Sequence, residues 1–519
     1  MTDSSHKPNS ISFMESPFHK HFDTNYVPSD LEIERIRAHL RPYEAELERL
    51  ESLIRELTTQ RDRLKTYIEP HKALISHPRR LPWDLVETIF IACLPSQCTM
   101  SPAEAPLLLG HICSAWRSIA WATPRLWTSV YLNQDFSVQN ERRKAIIEWL
   151  ERSGSLPFAL SVGFCPRPHD GAMIDLLLPF LGRWHTLRLY NLGLTDFAKI
   201  AKHKAPLLAD VTLAFGSNEL RALGRQPQEI LSSPLFKGMD SGRVNITGSE
   251  LNRLVPTTPF TWSHLTFLTL LSHRNGFLSV GTAYRLLKGC INLISFQSHL
   301  GLASAADENS SFSEALELPF LASLVILPTN QGSLGAVAEL VEHLLMPQLT
   351  RFHVVGNYFT SSIPVSRGTD LFHYLSERSP LISDLHLNVL DFLPTALLLT
   401  LQLFSCLTKL DLVVLTGNGR KTQPNAGNFL QATTFILNPF PALEELIIES
   451  VWFEDAILED FLQQQLDRET KLRRFRLYLR CEVPEIIPDL SHFVTRGLDV
   501  AVSYTPFAHT RILWERLER

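Results

Sequence analysis

Three stretches decide the fold of this chain: NLISFQS at 292–298, FLASLVIL at 320–327 and QLTRFHVV at 348–355. Each contains the pattern apolar-x-x-apolar-x-apolar, and the middle apolar residues Phe296, Leu324 and Phe352 follow one another at intervals of 28 residues. Alternation with a period of two predicts a short strand in each stretch. Equal spacing of the strands indicates a repeat architecture. The alternative is an ordinary α/β domain with coincidental spacing.

The same pattern extends outward in both directions. Its other copies are WHTLRLY (184–190), LLADVTL (207–213), HLTFLTL (264–270), LISDLHL (381–387), CLTKLDLVV (406–414), ALEELII (442–448) and KLRRFRL (471–477), with middle residues Leu187, Val211, Leu268, Leu385, Leu410, Leu446 and Phe475. The interval of 57 residues between Val211 and Leu268 is about two repeats, so a degenerate strand is expected near 235–246. Between strands, stretches such as GTAYRLLKGC and LGAVAELVEHLL predict return helices.

A period near 28 with one strand per unit resembles leucine-rich repeats, whose units have about 20–29 residues. The resemblance implies an irregular α/β solenoid over residues 140–519, because the asparagine ladder of strict repeats is absent. Stacked units expose a concave parallel sheet, which is a broad surface suited to binding protein. We expect target recognition on that surface.

A second pattern lies near the N-terminus, where apolar residues alternate in steps of three and four. The series is Ile33, Ile36, Leu40, Tyr43, Leu47, Leu50, Ile54, Leu57, Leu64 and Ile68, with Arg61 on the seam. It predicts a coiled-coil-like helix over 31–70. The regular part of this helix is expected to start at Pro42, and Pro70 is expected to end it. Two readings stay open: weak self-association through 42–68, or packing of a single amphipathic helix on its own domain. Residues 1–30 show no such period and are expected to be a disordered tail.

Composition narrows the class of protein. The chain has 519 residues, of which 45% are hydrophobic and 20% charged, so it can bury a core. A formal charge of −5 gives no basic excess for a phosphate backbone, so nucleic acid is not an expected partner. No apolar stretch has the roughly 20 residues that a membrane helix needs. Seven scattered cysteines indicate buried thiols in a reducing compartment, and therefore the cytoplasm or nucleus.

Between the two patterns, residues 78–132 predict a small all-α module with large aromatic side chains. RRLPWDLVETIFIACLP gives a first helix that starts at Pro82, and LLLGHICSAWRSIAWATPRLWTSV gives one or two more. Three small helices need large apolar side chains between them to form a core, so Trp116, Leu126 and Trp127 are the expected core residues.

The order of these residues resembles the F-box in the form common in mushroom-forming fungi. The matching stretches are Leu81-Pro82, Ile89-Phe90, Ile112-Cys113-Ser114-Ala115-Trp116-Arg117 and Pro124-Arg125-Leu126-Trp127. The resemblance implies that the module docks on a Skp-type adaptor and so joins a cullin-based ubiquitin ligase, while the repeats bind an unknown target protein. The adaptor-binding candidates are Leu81, Pro82, Leu85, Val86, Ile89, Phe90, Leu109, Ile112 and Trp116, and Leu81, Pro82, Leu85 and Ile89 are preferred. A protein scaffold of repeat type without a ligase role is the alternative function.

Motifs that would carry chemistry are absent or incomplete. Neither G-x-S-x-G nor H-E-x-x-H occurs, so no catalytic residue is predicted. Cys93, Cys98, His111 and Cys113 lack the C-x-x-C spacing of a zinc site, and core thiols are the preferred interpretation. The stretch TGNGRKT at 416–422 lacks the Gly-Lys step of a phosphate loop. We therefore expect a non-catalytic protein without metal or cofactor.

Overall fold

The computed structural model describes residues 16–75, 77–133, 140–164, 172–216, 231, 233–237, 239, 242–248, 251, 262–272, 276–301, 314–328, 334–355, 365–388, 394–414, 429–431, 440–450, 454–481, 483–484 and 488–505. The chain divides into two compact units, Met1–Val86 and Glu87–Arg519. The fold is mixed α/β, with a long N-terminal helix and a parallel sheet of many strands. In the described residues, no helix is long and apolar enough to cross a membrane.

The first unit is dominated by helix α1 (Asp30–Leu74), which has 45 residues. Its start is fixed by Glu32, whose carboxylate accepts hydrogen bonds from the Ser29 backbone N–H at 2.9 Å and the Ser29 hydroxyl at 2.7 Å. These bonds, with a third from Tyr26, lower the pKa of Glu32 to about 2. Before the helix, His19–His21 form a 3-10 turn. Most of the expected disordered tail, residues 1–15, lies outside the described residues.

Two predictions about the bounds of this helix were wrong. Pro42 and Pro70 both lie inside α1, so the helix neither starts at the first proline nor ends at the second. A proline removes one backbone hydrogen bond and crowds the preceding turn. The capped start at Ser29 and the remaining backbone hydrogen bonds outweigh that local loss.

The helical module follows. Its described helices are α2 (Trp83–Ala92), α3 (Leu109–Ile112) and α4 (Ser114–Ala122), and a 3-10 turn covers Pro124–Trp127. The prediction of a first helix followed by one or two more short helices is therefore confirmed. The Cys113 sulfur caps α4 by accepting a hydrogen bond from the Trp116 backbone N–H at 3.4 Å.

The rest of the second unit alternates strands and connections. The main sheet contains β1 (Ser129–Asn133), β2 (Phe158–Gly163), β3 (Trp184–Leu192), β4 (Asp210–Phe215), β5 (Gly242–Gly248), β6 (Leu265–Ser272), β7 (Leu278–Ser279), β8 (Ser295–Gly301), β10 (Ser323–Pro328), β12 (Arg351–Val354), β13 (Asp384–Asn388), β14 (Lys409–Val414), β15 (Glu445–Ser450), β16 (Arg474–Leu479) and β17 (Asp499–Tyr504). Apart from β7, which pairs with β8, these strands lie side by side in chain order, and all pair in parallel. β9 (Leu316–Glu317) and β11 (Leu344–Leu345) form a separate small sheet.

Helices occupy many of the connections between strands. They are α5 (Asn140–Arg152), α6 (Ala172–Leu177), α7 (Leu194–Ile200), α8 (Val280–Gly289), α9 (Leu334–Glu342), α10 (Val365–Arg378), α11 (Pro394–Leu401), α12 (Asp455–Asp467) and α13 (Ser491–Thr495). The two stretches predicted as return helices are α8 and α9. Both bury apolar residues, as connections that cover one face of a parallel sheet must do.

The middle apolar residues of the repeats form one continuous row across the sheet. Phe296 pairs in register with Leu324, and Leu324 with Phe352, as their equal spacing predicts. The missing member between Val211 and Leu268 is Val244 on β5, which lies within the range 235–246 predicted for the degenerate strand. The complete row is Val130, Leu160, Leu187, Val211, Val244, Leu268, Phe296, Leu324, Phe352, Leu385, Leu410, Leu446, Phe475 and Val500.

This row is part of the core of the second unit. All its members except Val500 are at most 2% exposed. Complete burial of a Val, Leu or Phe side chain contributes about 1.5–3 kcal/mol. Because side chains alternate along a strand, the residue on either side of each row member points to the opposite face of the sheet. That opposite face is buried at Val325, next to Leu324, but carries partly exposed charged side chains from β12 to β17.

Candidate functional site

The helical module leaves several apolar side chains exposed near its start. In the first unit, Leu81 is 37% exposed, Leu85 is 49% exposed, and Pro82 is also exposed. In the second unit, Ile89 is 42% and Ile112 is 54% exposed. Leu85 and Ile89 belong to the same helix, α2, and are four residues apart, the spacing that places side chains on one helix face. Five of the nine adaptor-binding candidates are therefore accessible.

Three other candidates are core residues. Val86 is 2%, Phe90 0% and Leu109 6% exposed. The sequence could not separate these positions from their exposed neighbours, because the short helices are apolar on more than one side. Val86, Phe90 and Leu109 were expected to contact the adaptor, but their burial gives them a stabilising role in the module.

Trp116 is intermediate between these groups. It is half-buried, and its ring packs edge-on against Phe90 with 5.1 Å between ring centroids. Leu126 and Trp127 are 0% and 1% exposed, as expected for the core. The Trp127 indole N–H donates to the Ala120 carbonyl at 2.9 Å, which satisfies the buried donor.

Leu108 is an exposed apolar residue that the sequence interpretation missed. It is 43% exposed and directly precedes α3, whereas its neighbour Leu109 is buried. The run Leu107-Leu108-Leu109 is itself the signal, because three consecutive leucines cannot all point inward from one short helical turn. Leu108 therefore joins Ile89 and Ile112 as exposed apolar surface of the second unit.

The solvent-facing side of the sheet carries a second candidate surface. From β12 to β17, the residue before each row member is charged, and its sign alternates from strand to strand. We call this set the charge ladder: Arg351, Asp384, Lys409, Glu445, Arg474 and Asp499. Aligning the predicted strands by their middle residues would have shown this alternation from Arg351 to Arg474, whereas the strand of Asp499 was not predicted.

The charge ladder is held by ion pairs between neighbouring strands. Arg351 Nε lies 3.0 Å from Asp384 Oδ2, and the Glu445 carboxylate lies 3.6 Å from Lys409 Nζ and 3.4 Å from a guanidinium nitrogen of Arg474. The last strand is tied to the sheet through Arg476, which pairs with Asp499. Cross-strand pairs of opposite charge contribute about 0.2–1 kcal/mol each. The ladder therefore fixes the positions of its charged groups more than it raises the stability of the sheet.

Two histidines lie two residues further along the strands than members of the charge ladder: His353 follows Arg351, and His386 follows Asp384. His353 Nε2 lies 3.0 Å from Asp384 Oδ1, and His386 Nδ1 lies 2.9 Å from Asp411 Oδ2. Burial alone would raise the pKa of Asp384, but hydrogen bonds from His353 and Arg351, with the positive charge of Lys409 nearby, hold this pKa below its ordinary value. Asp384 on β13 is therefore a charged acceptor for two side chains of the neighbouring strand β12.

These groups do not define a metal site. In the ranges that the structure describes, no set of three or more His, Cys, Asp and Glu side chains is placed to hold a metal ion. Among the cysteines, Cys98 is buried, Cys113 is half-buried and Cys93 is exposed. The expectation of a core thiol was therefore wrong for Cys93, which lies just past the end of α2. The glycine-containing stretch 416–422 lies outside the described residues.

Comparison with known proteins gives little further information. No protein-family model matches the chain. No curated protein matches it either. Among solved structures, the chain is similar to that of a Bacteroides fragilis protein, at 13% identity and a TM-score of 0.30 over 62% of this chain and 74% of that chain. The strand pairings described above are therefore the basis for the fold assignment: a mixed α/β protein with a repeat-like parallel sheet.

Proposed function

We propose that this chain is the substrate-recognition subunit of a Skp–cullin–F-box type ubiquitin ligase. The helical module would bind a Skp-type adaptor, and a leucine-rich-repeat-like sheet would bind a target protein. Ubiquitin transfer would then follow from holding the target near the transfer centre, which needs no catalytic residue in this chain.

One observation carries the adaptor proposal. Leu85 and Ile89 lie one turn apart on α2 and are 49% and 42% exposed, although Phe90, in the same helix, is fully buried. Large apolar side chains on one exposed helix face are the anchors that helix-in-groove interfaces use. Their positions coincide with the F-box-like stretch, so a Skp-type adaptor is the partner that the sequence favours.

For the target, we propose the sheet face that carries the charge ladder. Its ion pairs keep donors and acceptors at fixed positions across six strands. Fixed charges of alternating sign favour specificity and orientation of a protein partner more than affinity. A target would be recognised by a complementary alternation of charge.

The test is a pull-down of the full chain by a purified Skp-type adaptor. Leu85→Asp with Ile89→Asp should weaken binding by about several hundredfold, since each anchor is expected to contribute about 2 kcal/mol. The matched control is Leu399→Asp with Leu403→Asp, because these leucines are 61% and 49% exposed and lie in the repeat region. Binding by the native chain and the control, with loss in the α2 variant, would support the proposal.

A protein scaffold without a ligase role is the second candidate function. The observation that favours it is the burial of Val86, Phe90 and Leu109, which leaves fewer residues for the adaptor than the resemblance implies. A folded native chain that does not bind the adaptor would reject the ligase proposal and leave the scaffold.

A further inference from the structure

Helix α1 carries a long apolar stripe that is not buried. The expected seam contains Leu47, Leu50 and Ile54, which are 58%, 41% and 62% exposed, followed by Leu57 and Leu64 at 53% and 61%. None of the 45 residues of the helix is buried. Packing of a single amphipathic helix on its own domain requires a buried stripe, so this alternative does not agree with the exposure of α1.

We propose that α1 forms a two-stranded antiparallel coiled coil with the α1 helix of a second copy of the chain. The inference goes beyond the proposed function, because neither adaptor binding nor target binding requires a dimer. It rests on the register of the seam, on the position of Arg61 and on the distribution of charge along α1.

When two copies of α1 run in opposite directions and cross-pair about Ser52, each seam residue of one helix lies opposite a seam position of the other. An antiparallel coiled coil places each first-position residue of the heptad opposite a fourth-position residue of the partner. The resulting pairs, the second residue in each belonging to the second copy, are Leu50 with Ile54, Leu47 with Leu57, Tyr43 with Arg61, Leu40 with Leu64, Ile36 with Ile68 and Ile33 with His71. Every layer except the two that contain Arg61 and His71 is apolar on both sides.

Arg61 distinguishes the two possible orientations. In a parallel dimer it would face Arg61 of the second copy, and two like charges would meet in the seam. In the antiparallel register Arg61 faces Tyr43 of the second copy, and its guanidinium can form a cation–π contact with the face of that ring. Within one copy, Arg61 contacts Asp62 at 2.7 Å and Tyr43 packs near the His39 ring, so both side chains already lie beside polar neighbours.

The charges of the two halves of α1 are complementary. Residues 30–52 contain seven acidic and four basic side chains, a net charge of −3. Residues 53–74 contain three acidic and five basic side chains, a net charge of +2. Antiparallel pairing places the acidic half of each helix beside the basic half of the other, whereas parallel pairing places like against like. Complementary charge on the flanks of a coiled coil sets the orientation of its partner.

The available area is sufficient for a stable dimer. The helix is about 67 Å long at 1.5 Å per residue. Ten apolar seam residues on each helix, at roughly 60–100 Å² each, would bury about 1,200–2,000 Å² in total. Specific interfaces between proteins bury about this area.

The oligomeric state of the full chain tests the proposal. Light scattering after gel filtration should give twice the monomer mass of 58.9 kDa for the native chain at micromolar concentration. Leu50→Glu with Ile54→Glu should give the monomer. The matched control, Ser52→Glu with Thr59→Glu, adds the same charges outside the seam and should remain a dimer. A native chain that is monomeric, a larger oligomer, or a dimer that the seam variant does not disrupt would overturn the proposal.

Two further measurements test the orientation. When the Leu47→Cys and Leu57→Cys chains are mixed and briefly oxidised, a disulfide dimer should form, and each variant alone should form little more than the native chain. Raising the salt concentration should weaken the dimer, because the attraction between the acidic and basic halves is screened. Efficient crosslinking of each variant with itself, or a dimer strengthened by salt, would show a parallel coiled coil and overturn the antiparallel assignment.

Discussion

Arg480 and Glu449 form an ion pair in which Arg480 Nε lies 2.6 Å from Glu449 Oε1, and their side chains are only 9% and 2% exposed. A buried ion pair recovers the cost of desolvation only while both charges are present. Arg480→Met leaves the Glu449 carboxylate buried without its cation. It should lower the free energy of unfolding by about 3–5 kcal/mol, measured by urea denaturation.

The control for this prediction is an exposed ion pair. Lys199 Nζ lies 2.7 Å from Asp175, with side chains 34% and 55% exposed. Lys199→Met should therefore cost at most about 1 kcal/mol. Replacing both buried partners, Glu449→Leu with Arg480→Met, should recover much of the lost stability. Equal losses in the two single variants would contradict the assigned role of burial.

Substitutions in the helical module should distinguish residues that stabilise its fold from exposed residues that are available for binding. Phe90→Ala removes a fully buried ring that packs against Trp116, and it should cost about 3–5 kcal/mol. Ile112→Ala changes a side chain that is 54% exposed and should alter stability by less than about 0.5 kcal/mol. Thermal unfolding of the two variants would measure the difference, and similar losses would show that the core is wrongly assigned.

The charge ladder predicts an effect of sign at Lys409. Lys409→Glu places three carboxylates on adjacent strands, because Asp384 and Glu445 flank this position. It should destabilise the chain by about 1 kcal/mol more than the neutral variant Lys409→Gln. The difference should shrink in high salt, which screens exposed charges. Urea denaturation at two salt concentrations would test this. Equal free energies of unfolding for the two variants would show that the ladder does not contribute to stability.

Asp384 should contribute to the acid sensitivity of the chain. Its folded-state pKa is below the ordinary value of 3.8, so its charged form stabilises the folded chain. That stabilisation is complete above pH 3.8 and is lost as the pH falls through the folded-state pKa. Asp384→Asn should therefore lose less stability than the native chain between pH 6 and pH 3. Parallel curves of urea midpoint against pH would contradict the prediction.

The thiols should differ in reactivity according to burial. Cys93 and Cys406 are exposed, whereas burial raises the pKa of the Cys98 and Cys290 thiols. The thiolate is the reactive form, so iodoacetamide should label Cys93 and Cys406 more than about tenfold faster in the native chain. Peptide mass spectrometry would measure these rates, and labelling in urea should remove the difference. Fast native labelling of Cys290 would show that its region opens readily.

The repeat strands could be predicted because their signal is local and repeated. Phe296, Leu324 and Phe352 each occupy a buried strand position, and equal spacing aligned them without three-dimensional information. The same row identified the region of Val244, although its strand departs from the pattern. Period-two burial on one face of a sheet is the physical reason.

The rest depends on energies that a local pattern does not contain. The extent of α1 could not be predicted from Pro42 and Pro70, because a long helix tolerates the loss of single hydrogen bonds. In the helical module, Leu85 and Val86 are adjacent and similar in character, yet one is exposed and the other buried. Their difference arises from the packing of short helices, which sequence periodicity over ten residues does not determine.

The alternating sign of the charge ladder limits how the gene of this protein can lengthen or shorten. Deleting one repeat, for example the one that carries Asp384, would bring Arg351 beside Lys409 and place two like charges on adjacent strands at that junction. Deleting two repeats would bring Arg351 beside Glu445 and restore opposite charges. Insertions and deletions within β12–β17 should therefore be tolerated in pairs, so that the inherited unit of this region is two repeats and not one.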